Sequence, residues 1–167
     1  MLKPLTTLEL KLIHLVEEDC KRTNLELAKI LKIPEADVEN LLHILEEDKI
    51  ILKYRAIVNW EKIESPEVVA LIQVTVTPSQ GEGYDEVARK ISNLEEVSTC
   101  MLVSGSFDLL VEVGGPSLKD VAFFVADKLA TIAGVEHTRT NFLLKRYKEG
   151  GDIFSGSEKT HRLPVMI

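Results

Sequence analysis

The chain has 167 residues and is 45% hydrophobic, which is enough to bury the core of one large or two small domains. Its formal net charge of −7 argues against a generally basic nucleic-acid-binding protein. Residues 1–60 carry 9 Lys and Arg against 11 Asp and Glu, and the remaining residues carry 11 against 16, so neither half is basic.

Residues 1–48 show the periodicity of three short helices. Thr7 is a candidate cap for the first, which ends near residues 18–20, and Asn24 is a candidate cap for the second. A residue before proline avoids the helical region, so the second helix ends at Ile33 and Pro34 begins the third. The apolar stripe of the third helix is Val38, Leu41, Leu42 and Leu45. Three such helices with brief turns predict a helix-turn-helix.

The third helix, residues 34–48, is the one that would enter a DNA groove, yet it holds six acidic residues and no Lys or Arg. A helical projection gives it an apolar face, acidic flanks and an outward strip of Ala36, Asn40, His43 and Glu47. An Asn side chain pairs with adenine and a carboxylate accepts from cytosine. We therefore expect Ala36, Asn40 and His43 to meet bases, whereas the acids disfavour loose attachment to DNA.

Contacts to DNA phosphates are expected from basic residues elsewhere in this half of the chain. The candidates are Lys21, Arg22, Lys29, Lys32, Lys53 and Arg55. An ordinary solvated surface is the alternative interpretation of these six residues. With so few bases in each subunit, binding would depend on several subunits engaging one DNA together.

Residues 50–58 are rich in β-forming residues and predict the small wing of a winged helix. The polar residues 59–66 follow as a linker with a proline at its end. This division gives a winged helix-turn-helix DNA-binding domain at residues 1–58 and a linker at residues 59–66.

The second half has the order β-α-β-β-α-β. Strands are predicted at residues 68–77, 96–105, 107–113 and 135–147, a loop at 78–83, and helices at 84–94 and after the cap Ser117. Leu118, Val121, Ala122, Val125, Leu129 and Ile132 form the expected inward stripe of the last helix. This order predicts a ferredoxin-like domain at residues 67–147, with two helices on one face of a four-stranded antiparallel sheet, and the fold class is α+β.

The strands are apolar on both faces. Val69 and Leu71 alternate with Ala70 and Ile72, and Leu110 opposes its two neighbours in the same way. A second apolar face must also be covered, so we expect homodimerisation of sheet against sheet. The C-terminal tail, residues 148–167, is rich in Gly and Ser and then ends apolar. It is either disordered or docks on a partner subunit.

Cys20 and Cys100 lie far apart without CxxC or metal spacing, and we expect two reduced, buried thiols. The N-terminus lacks the apolar core of a signal peptide, and no apolar run approaches the roughly 18 residues of a membrane helix. We therefore expect a soluble cytoplasmic protein without membrane contact.

Together these features resemble the leucine-responsive/AsnC (feast-or-famine) family of transcriptional regulators. The resemblance spans about residues 5–147. It includes the motif V-S-G-x-x-D at residues 103–108. Its most specific pieces are the turn S-G-S-F-D at residues 104–108, between the second and third strands, and the run T-R-T at residues 138–140. The stretch KYRAIVNW, residues 53–60, stands where the family has a Tyr-bearing hairpin before the linker.

The resemblance implies a ligand-responsive regulator that binds double-stranded DNA and forms homodimers, which often assemble into octamers. It also implies an amino acid or related small-molecule effector, bound between dimers near the Gly-x-x-Asp turn. The matching residues here are Ser104, Gly105, Phe107 and Asp108, with Thr138 and Thr140 as weaker candidates.

The residue chemistry of the turn leaves two interpretations open. Backbone amides near Gly105 could hold a carboxylate, and Asp108 could receive an α-ammonium group. Alternatively, Gly105 only makes a tight connection between strands and Asp108 caps it.

Two other functions stay open. One is an effector-sensing oligomer that has lost specific DNA binding, because members of the family usually carry Ser, Arg or Lys where this helix has Glu39, Asn40 and His43. The other is an enzyme, since some relatives with this layout resemble tetrapyrrole decarboxylases. The four His residues are scattered without metal spacing or a triad, so we expect no catalytic residue, cofactor or metal.

Overall fold

The computed structural model describes residues 3–64, 67–78 and 83–154. The chain separates into two compact units, Met1–Val58 and Asn59–Ile167. Within the described ranges, no helix is both long enough and apolar enough to cross a membrane.

The N-terminal unit consists of three helices: α1 (Thr7–Glu18), α2 (Asn24–Leu31) and α3 (Glu35–Glu47). The helix-turn-helix prediction is therefore confirmed. The fully or nearly buried residues are Leu12, Val16, Leu27, Ala28, Val38 and Leu45. Leu41 and Leu42 of the predicted stripe are half-buried and pack against this core. The apolar face of α3 thus packs against the core of the N-terminal unit, and the opposite face of the helix points away from that core.

The caps of α1 and α2 lie one residue earlier than predicted, at Thr6 and Thr23 instead of Thr7 and Asn24. Both are capping boxes. Thr6 Oγ1 accepts from the Glu9 amide at 3.2 Å, and the Thr6 amide donates to the Glu9 carboxylate at 2.7 Å. This backbone hydrogen bond from Thr6 lowers the pKa of Glu9, and the equivalent bond from Thr23 lowers the pKa of Glu26.

The turn between α2 and α3 depends on Lys32. The sequence had instead predicted that Pro34 ends α2. Lys32 is left-handed, with φ 58° and ψ 45°, and its amide donates to the Ala28 carbonyl. The Ile33 amide reaches the same carbonyl at 3.2 Å. Pro34 is the N-cap of α3 and not its first residue. The helix therefore stops before the proline, by a left-handed turn.

The predicted wing strand is wrong. Residues 52–59 form neither helix nor strand. A strand needs a neighbour to satisfy its backbone groups, and the described part of the N-terminal unit contains no other strand to pair with it. The segment is fastened by a side chain instead, since the Tyr54 hydroxyl donates to Glu46 Oε1 at 2.6 Å.

The C-terminal unit contains the predicted βαββαβ arrangement. Its strands are β1 (Val68–Val76), β2 (Val97–Leu102), β3 (Leu109–Gly115) and β4 (Val135–Phe142). They form one antiparallel sheet in the order β2-β3-β1-β4. The ferredoxin-like fold is thereby confirmed. Residues 79–82 of the expected loop lie outside the described residues.

Helices α4 (Asp85–Ser92) and α5 (Leu118–Phe123) pack on one face of this sheet. The alternation predicted for β1 is confirmed, because Ala70, Ile72 and Val74 are fully buried and Val76 nearly so. Val69 and Leu71 point the other way and are only half-buried. The face opposite the helices is called the open face below.

The long helix predicted after Ser117 changes its winding. Ser117 is the cap, as predicted, but the α-helical part ends at Phe123. A π-helical turn (Phe124–Lys128) and a 3₁₀ turn (Leu129–Thr131) complete it. Val121 and Phe124 are buried, whereas Leu118 and Ala122 of the predicted stripe are exposed. The next buried residue, Leu129, follows Phe124 by five positions, which is the spacing of the π turn between them.

The first part of the tail is ordered, contrary to the expectation that the whole tail would be disordered or would need a partner subunit. β5 (Lys148–Glu149) and β6 (Asp152–Ile153) pair as a hairpin. Gly150 and Gly151 join them with φ of 56° and 97°, values that favour glycine and suit a two-residue hairpin turn. Phe154 follows and is buried. The apolar end of the tail lies outside the described residues.

Candidate functional site

A groove of about 720 Å³ in the N-terminal unit is lined by three of the four residues of the outward strip of α3. This groove, called the reading groove below, is lined by Ala36, Asn40 and His43, the three residues predicted to meet bases. Asn24, Cys20 and Tyr54 also line it, although the sequence had singled out none of them for this role. Cys20 was expected to be buried but is exposed, because it follows the last turn of α1.

Acidic side chains enter the reading groove as well. Glu39 and Glu46, which the projection placed on a flank, line the same groove as Asn40. Glu47 Oε1 lies 3.3 Å from His43 Nε2. Partial burial of the Tyr54 phenol, together with its hydrogen bond to Glu46, raises the pKa of Tyr54 to about 12. The reading groove thus presents amide, imidazole and carboxylate groups to a binding partner.

The six predicted phosphate contacts do not all have free cationic groups. Arg22 Nη1 donates to the Leu15 carbonyl at 2.6 Å, and Nη2 donates to Glu18 at 2.6 Å. Its guanidinium therefore closes the C-terminal end of α1 while the side chain borders the reading groove. The other five, Lys21, Lys29, Lys32, Lys53 and Arg55, are exposed.

The second candidate site is the turn between β2 and β3, residues 103–108. Gly105 is exposed and has φ of 153°, and no heavy atom lies within 4 Å of a Cβ placed on it. The Asp108 carboxylate accepts a hydrogen bond from the Val76 amide at 2.9 Å. The Asp108 amide donates to the Val74 carbonyl at 3.0 Å. The turn is thus tied to the end of β1, and one oxygen of Asp108 already has a structural partner.

Thr138 and Thr140 lie across β1 from this turn. Thr138 pairs with Val74 and Thr140 with Ile72, so both threonines are on the helix-covered side of the sheet and half-buried. Two strand spacings, on the order of 10 Å, separate Thr138 from Asp108. The fold therefore brings Asp108 and Thr138 to the same level of the sheet without direct contact, and Thr140 lies one pair further away.

The open face of the sheet carries a mixed surface. Gln73 lies between Leu110 of β3 and Arg139 of β4, and Met101 of β2 pairs with Leu110. Met101 is 47% exposed. The open face thus combines apolar and polar side chains at its centre.

The chain is similar to known proteins over nearly its whole length. A family model described as the Lrp/AsnC ligand binding domain matches residues 69–153. A Bacillus subtilis protein, the HTH-type transcriptional regulator YugG, is 39% identical over 162 residues, which are 96% of this chain and 98% of that protein.

Solved structures share the fold at lower identity. The leucine response regulatory protein of Mycobacterium tuberculosis superimposes with a TM-score of 0.72 at 21% identity, over 90% of this chain and 100% of that one. A transcriptional regulator of Neisseria meningitidis, solved as a complex with L-Met, gives a TM-score of 0.67 at 23% identity, over 87% of this chain and 94% of that one. From the family match and the similarity to YugG, we conclude that this chain belongs to the Lrp/AsnC family.

Proposed function

We propose that this protein is a ligand-responsive transcriptional regulator. In this proposal the N-terminal unit binds double-stranded DNA, and the C-terminal domain senses an amino acid or a related small molecule. The observation that carries it is the alignment with an HTH-type transcriptional regulator over 96% of the chain. The reading groove adds support, because it collects Ala36, Asn40 and His43 on the outward face of a helix-turn-helix.

The DNA contact is expected to be selective and weak in each subunit. Asn40 has the donor and acceptor needed for an adenine edge, and Glu39 and Glu46 have the acceptors for cytosine. The same carboxylates repel phosphates, so non-specific binding through α3 is disfavoured. Phosphate contacts are assigned to Lys21, Lys29, Lys32, Lys53 and Arg55, with Arg22 in a mainly structural role.

The effector is expected at the turn that contains Ser104, Gly105, Phe107 and Asp108, with Thr138 and Thr140 in weaker roles. The Neisseria meningitidis relative was solved with L-Met, which supports an amino acid as the ligand class. The α-ammonium group of such a ligand would meet the Asp108 carboxylate, and its carboxylate would meet backbone amides near Gly105.

The assembly is proposed as a homodimer through the open face, with octamers as the larger form. Exposed Met101 and half-buried Leu110 and Leu71 support this interface. We assign residues 1–58 to DNA binding, 59–66 to the linker, 67–147 to effector binding and oligomerisation, and 148–167 to the tail. We assign no catalytic activity to the chain, and we place the regulator in the cytoplasm.

A second function is an effector-sensing oligomer that has lost specific DNA binding. It is favoured by the acids of the reading groove and by the contacts that occupy Arg22. It shares the effector domain with the first proposal and differs only in the N-terminal unit.

Binding of the full chain to its own upstream DNA separates the two functions. Binding is titrated against salt, with and without a panel of amino acids. Asn40→Ala and His43→Ala are each expected to weaken specific binding by roughly 1–3 kcal/mol for each lost base pairing. Absence of sequence-dependent binding at low salt, with every effector tried, contradicts the regulator and supports the second function.

A further inference from the structure

A second groove, on the C-terminal unit, has a wall of apolar residues, several of which are exposed. It measures about 630 Å³ and is called the Trp60 groove below. Its apolar wall consists of Trp60, Ile63, Val69, Leu143, Leu144 and Phe154. Trp60 is 55% exposed and Leu144 is 93% exposed. Large apolar side chains collected in one concave surface mark a binding site for another apolar group.

The charged residues of the Trp60 groove are mainly acidic. Glu67, Glu95, Glu96 and Glu112 line it, against Lys145 and Arg146. Arg146 already pairs with Glu112 at 3.7 Å and with Glu149. Glu96 bonds to Lys128 through Oε1, whereas its Oε2 is buried without a hydrogen-bond partner among the described residues. A buried carboxylate oxygen of this kind calls for a donor, so the groove suits a cationic and apolar occupant.

The chain itself leaves the described region from the wall of this groove. Phe154 is the last described residue, and its carbonyl accepts from Asn59 Nδ2 at 3.2 Å. Its amide donates to the Tyr147 carbonyl at 3.0 Å, so the point of departure is fixed. Thirteen residues follow, SGSEKTHRLPVMI. Fully extended they reach roughly 40 Å, which is ample to return along the groove.

The composition of these thirteen residues is complementary to the groove, because it combines basic and apolar side chains. Lys159 and Arg162 stand against a single acid, Glu158, and five consecutive apolar residues follow at positions 163–167. We propose that residues 158–167 dock in the Trp60 groove. Lys159 and Arg162 then meet the carboxylates, and the apolar end covers Trp60, Ile63 and Leu144. This inference goes beyond the proposed regulatory function and does not depend on it.

A second copy of the chain is the competing occupant. The proposed dimer rests on Leu71, Leu110 and Met101 of the open face, and none of these three lines the Trp60 groove. Val69 and Glu112 do line the groove and lie on the same open face, since Val69 alternates with Ala70 and Glu112 pairs with Leu71. A second copy and the tail therefore compete for this end of the sheet, and the oligomeric mass tells the two occupants apart. The docking also has an ionic component, so it is expected to weaken with salt.

Trp60 is a built-in reporter, because it is the only tryptophan in the chain. Acrylamide quenching and the emission maximum are measured for the full chain and for a chain ending at Gly156. Truncation is expected to increase quenching and to shift emission to the red. A synthetic peptide of residues 157–167 is expected to restore protection to the truncated chain, and a scrambled peptide is not. The double variant Lys159→Glu/Arg162→Glu should behave like the truncated chain.

The oligomeric mass of each protein is measured by sedimentation at the concentration used for fluorescence. Protection lost on truncation at unchanged mass, and regained with the peptide, supports the proposal. Equal quenching in the full and truncated chains contradicts it. Protection that follows the mass and does not respond to the peptide also contradicts it and assigns the groove to a second copy.

Discussion

The hydroxyl of Tyr54 lies 2.6 Å from Glu46 Oε1 and donates to it, which ties the segment after α3 to the last turns of that helix. Both residues line the reading groove. Glu46 therefore uses one oxygen for a structural contact, which holds this carboxylate in place at the edge of the groove. Residues 52–59 have no strand pairing, so this bond fixes them where the predicted wing would have stood.

The ionisation of Tyr54 tests this bond. Burial and the hydrogen bond raise the pKa of Tyr54 to about 12, so ionisation of the folded protein should show a late step in phenolate absorbance. A group with a raised pKa stabilises the fold fully below its unfolded pKa, roughly 10 for tyrosine. That contribution is lost as the pH rises toward 12. The late step should be missing in Tyr54→Phe, and its persistence there would assign it to another residue.

Arg22 is predicted to act mainly in stability and only weakly in DNA binding. Arg22→Ala removes the hydrogen bonds to the Leu15 carbonyl and to Glu18, with an expected loss of about 2 kcal/mol in the stability of the N-terminal unit. Hydrogen exchange of the amides in α1 and α2 measures this loss. Lys21→Ala is the matched control, because this exposed neighbour should change stability by less than about 0.5 kcal/mol. Equal exchange in the two variants would refute the structural role of Arg22.

The left-handed turn at Lys32 predicts a stabilising substitution. The left-handed conformation costs a residue with a Cβ about 1–2 kcal/mol of folding free energy. Glycine avoids this cost, but its greater conformational freedom in the unfolded chain offsets part of the gain. Lys32→Gly should therefore stabilise the N-terminal unit by about 0.5 kcal/mol, seen as slower exchange in α2 and α3. Lys29→Gly, inside α2, should destabilise it by about 0.5–1 kcal/mol. The opposite order of the two variants would mean that the turn is not as described.

The sequence predicted the periodic parts of this fold well. The three N-terminal helices, the βαββαβ order and the buried face of β1 follow from apolar spacing. The two capping boxes could have been predicted, since T-x-x-E occurs at residues 6–9 and 23–26. The hairpin could also have been predicted, from the E-G-G-D motif at residues 149–152. The left-handed conformation of Lys32 and the π turn at Phe124 could not be predicted, because no residue type specifies them and tertiary packing decides both.

The site residues divide in the same way. Projection alone collected Ala36, Asn40 and His43, and the structure places all three in one groove. Projection could not show that Tyr54 joins them or that Arg22 is engaged elsewhere. Both facts depend on where separate segments of the chain pack, and a single helix carries no information about that.

Gly134 and Gly105 should respond differently to alanine. Gly134 has φ of 99°, and a Cβ there would lie 2.7 Å from Val87 Cγ2. Gly134→Ala therefore adds a clash to backbone strain and should destabilise the C-terminal unit by about 2–3 kcal/mol in urea unfolding. Gly105→Ala meets open space and keeps only the strain of its positive φ, so it should lose less, about 1 kcal/mol. Adding Val87→Ala to Gly134→Ala should recover part of the loss, and purely additive effects would exclude the clash.

Asp108 separates a structural role from an effector-binding role at the β2–β3 turn. Asp108→Asn keeps an acceptor for the Val76 amide and removes the charge, whereas Asp108→Ala removes both. If Asp108 receives the ammonium group of an amino acid, Asp108→Asn should lose the effector response while keeping wild-type stability. Asp108→Ala should lose the response and, in addition, about 1–2 kcal/mol of stability. Calorimetric binding of an amino-acid panel, together with urea unfolding, measures both quantities. An Asp108→Asn variant that binds the same amino acid as tightly as the wild type would leave Asp108 with the strand-capping role alone, and the ammonium contact would then have to come from another residue.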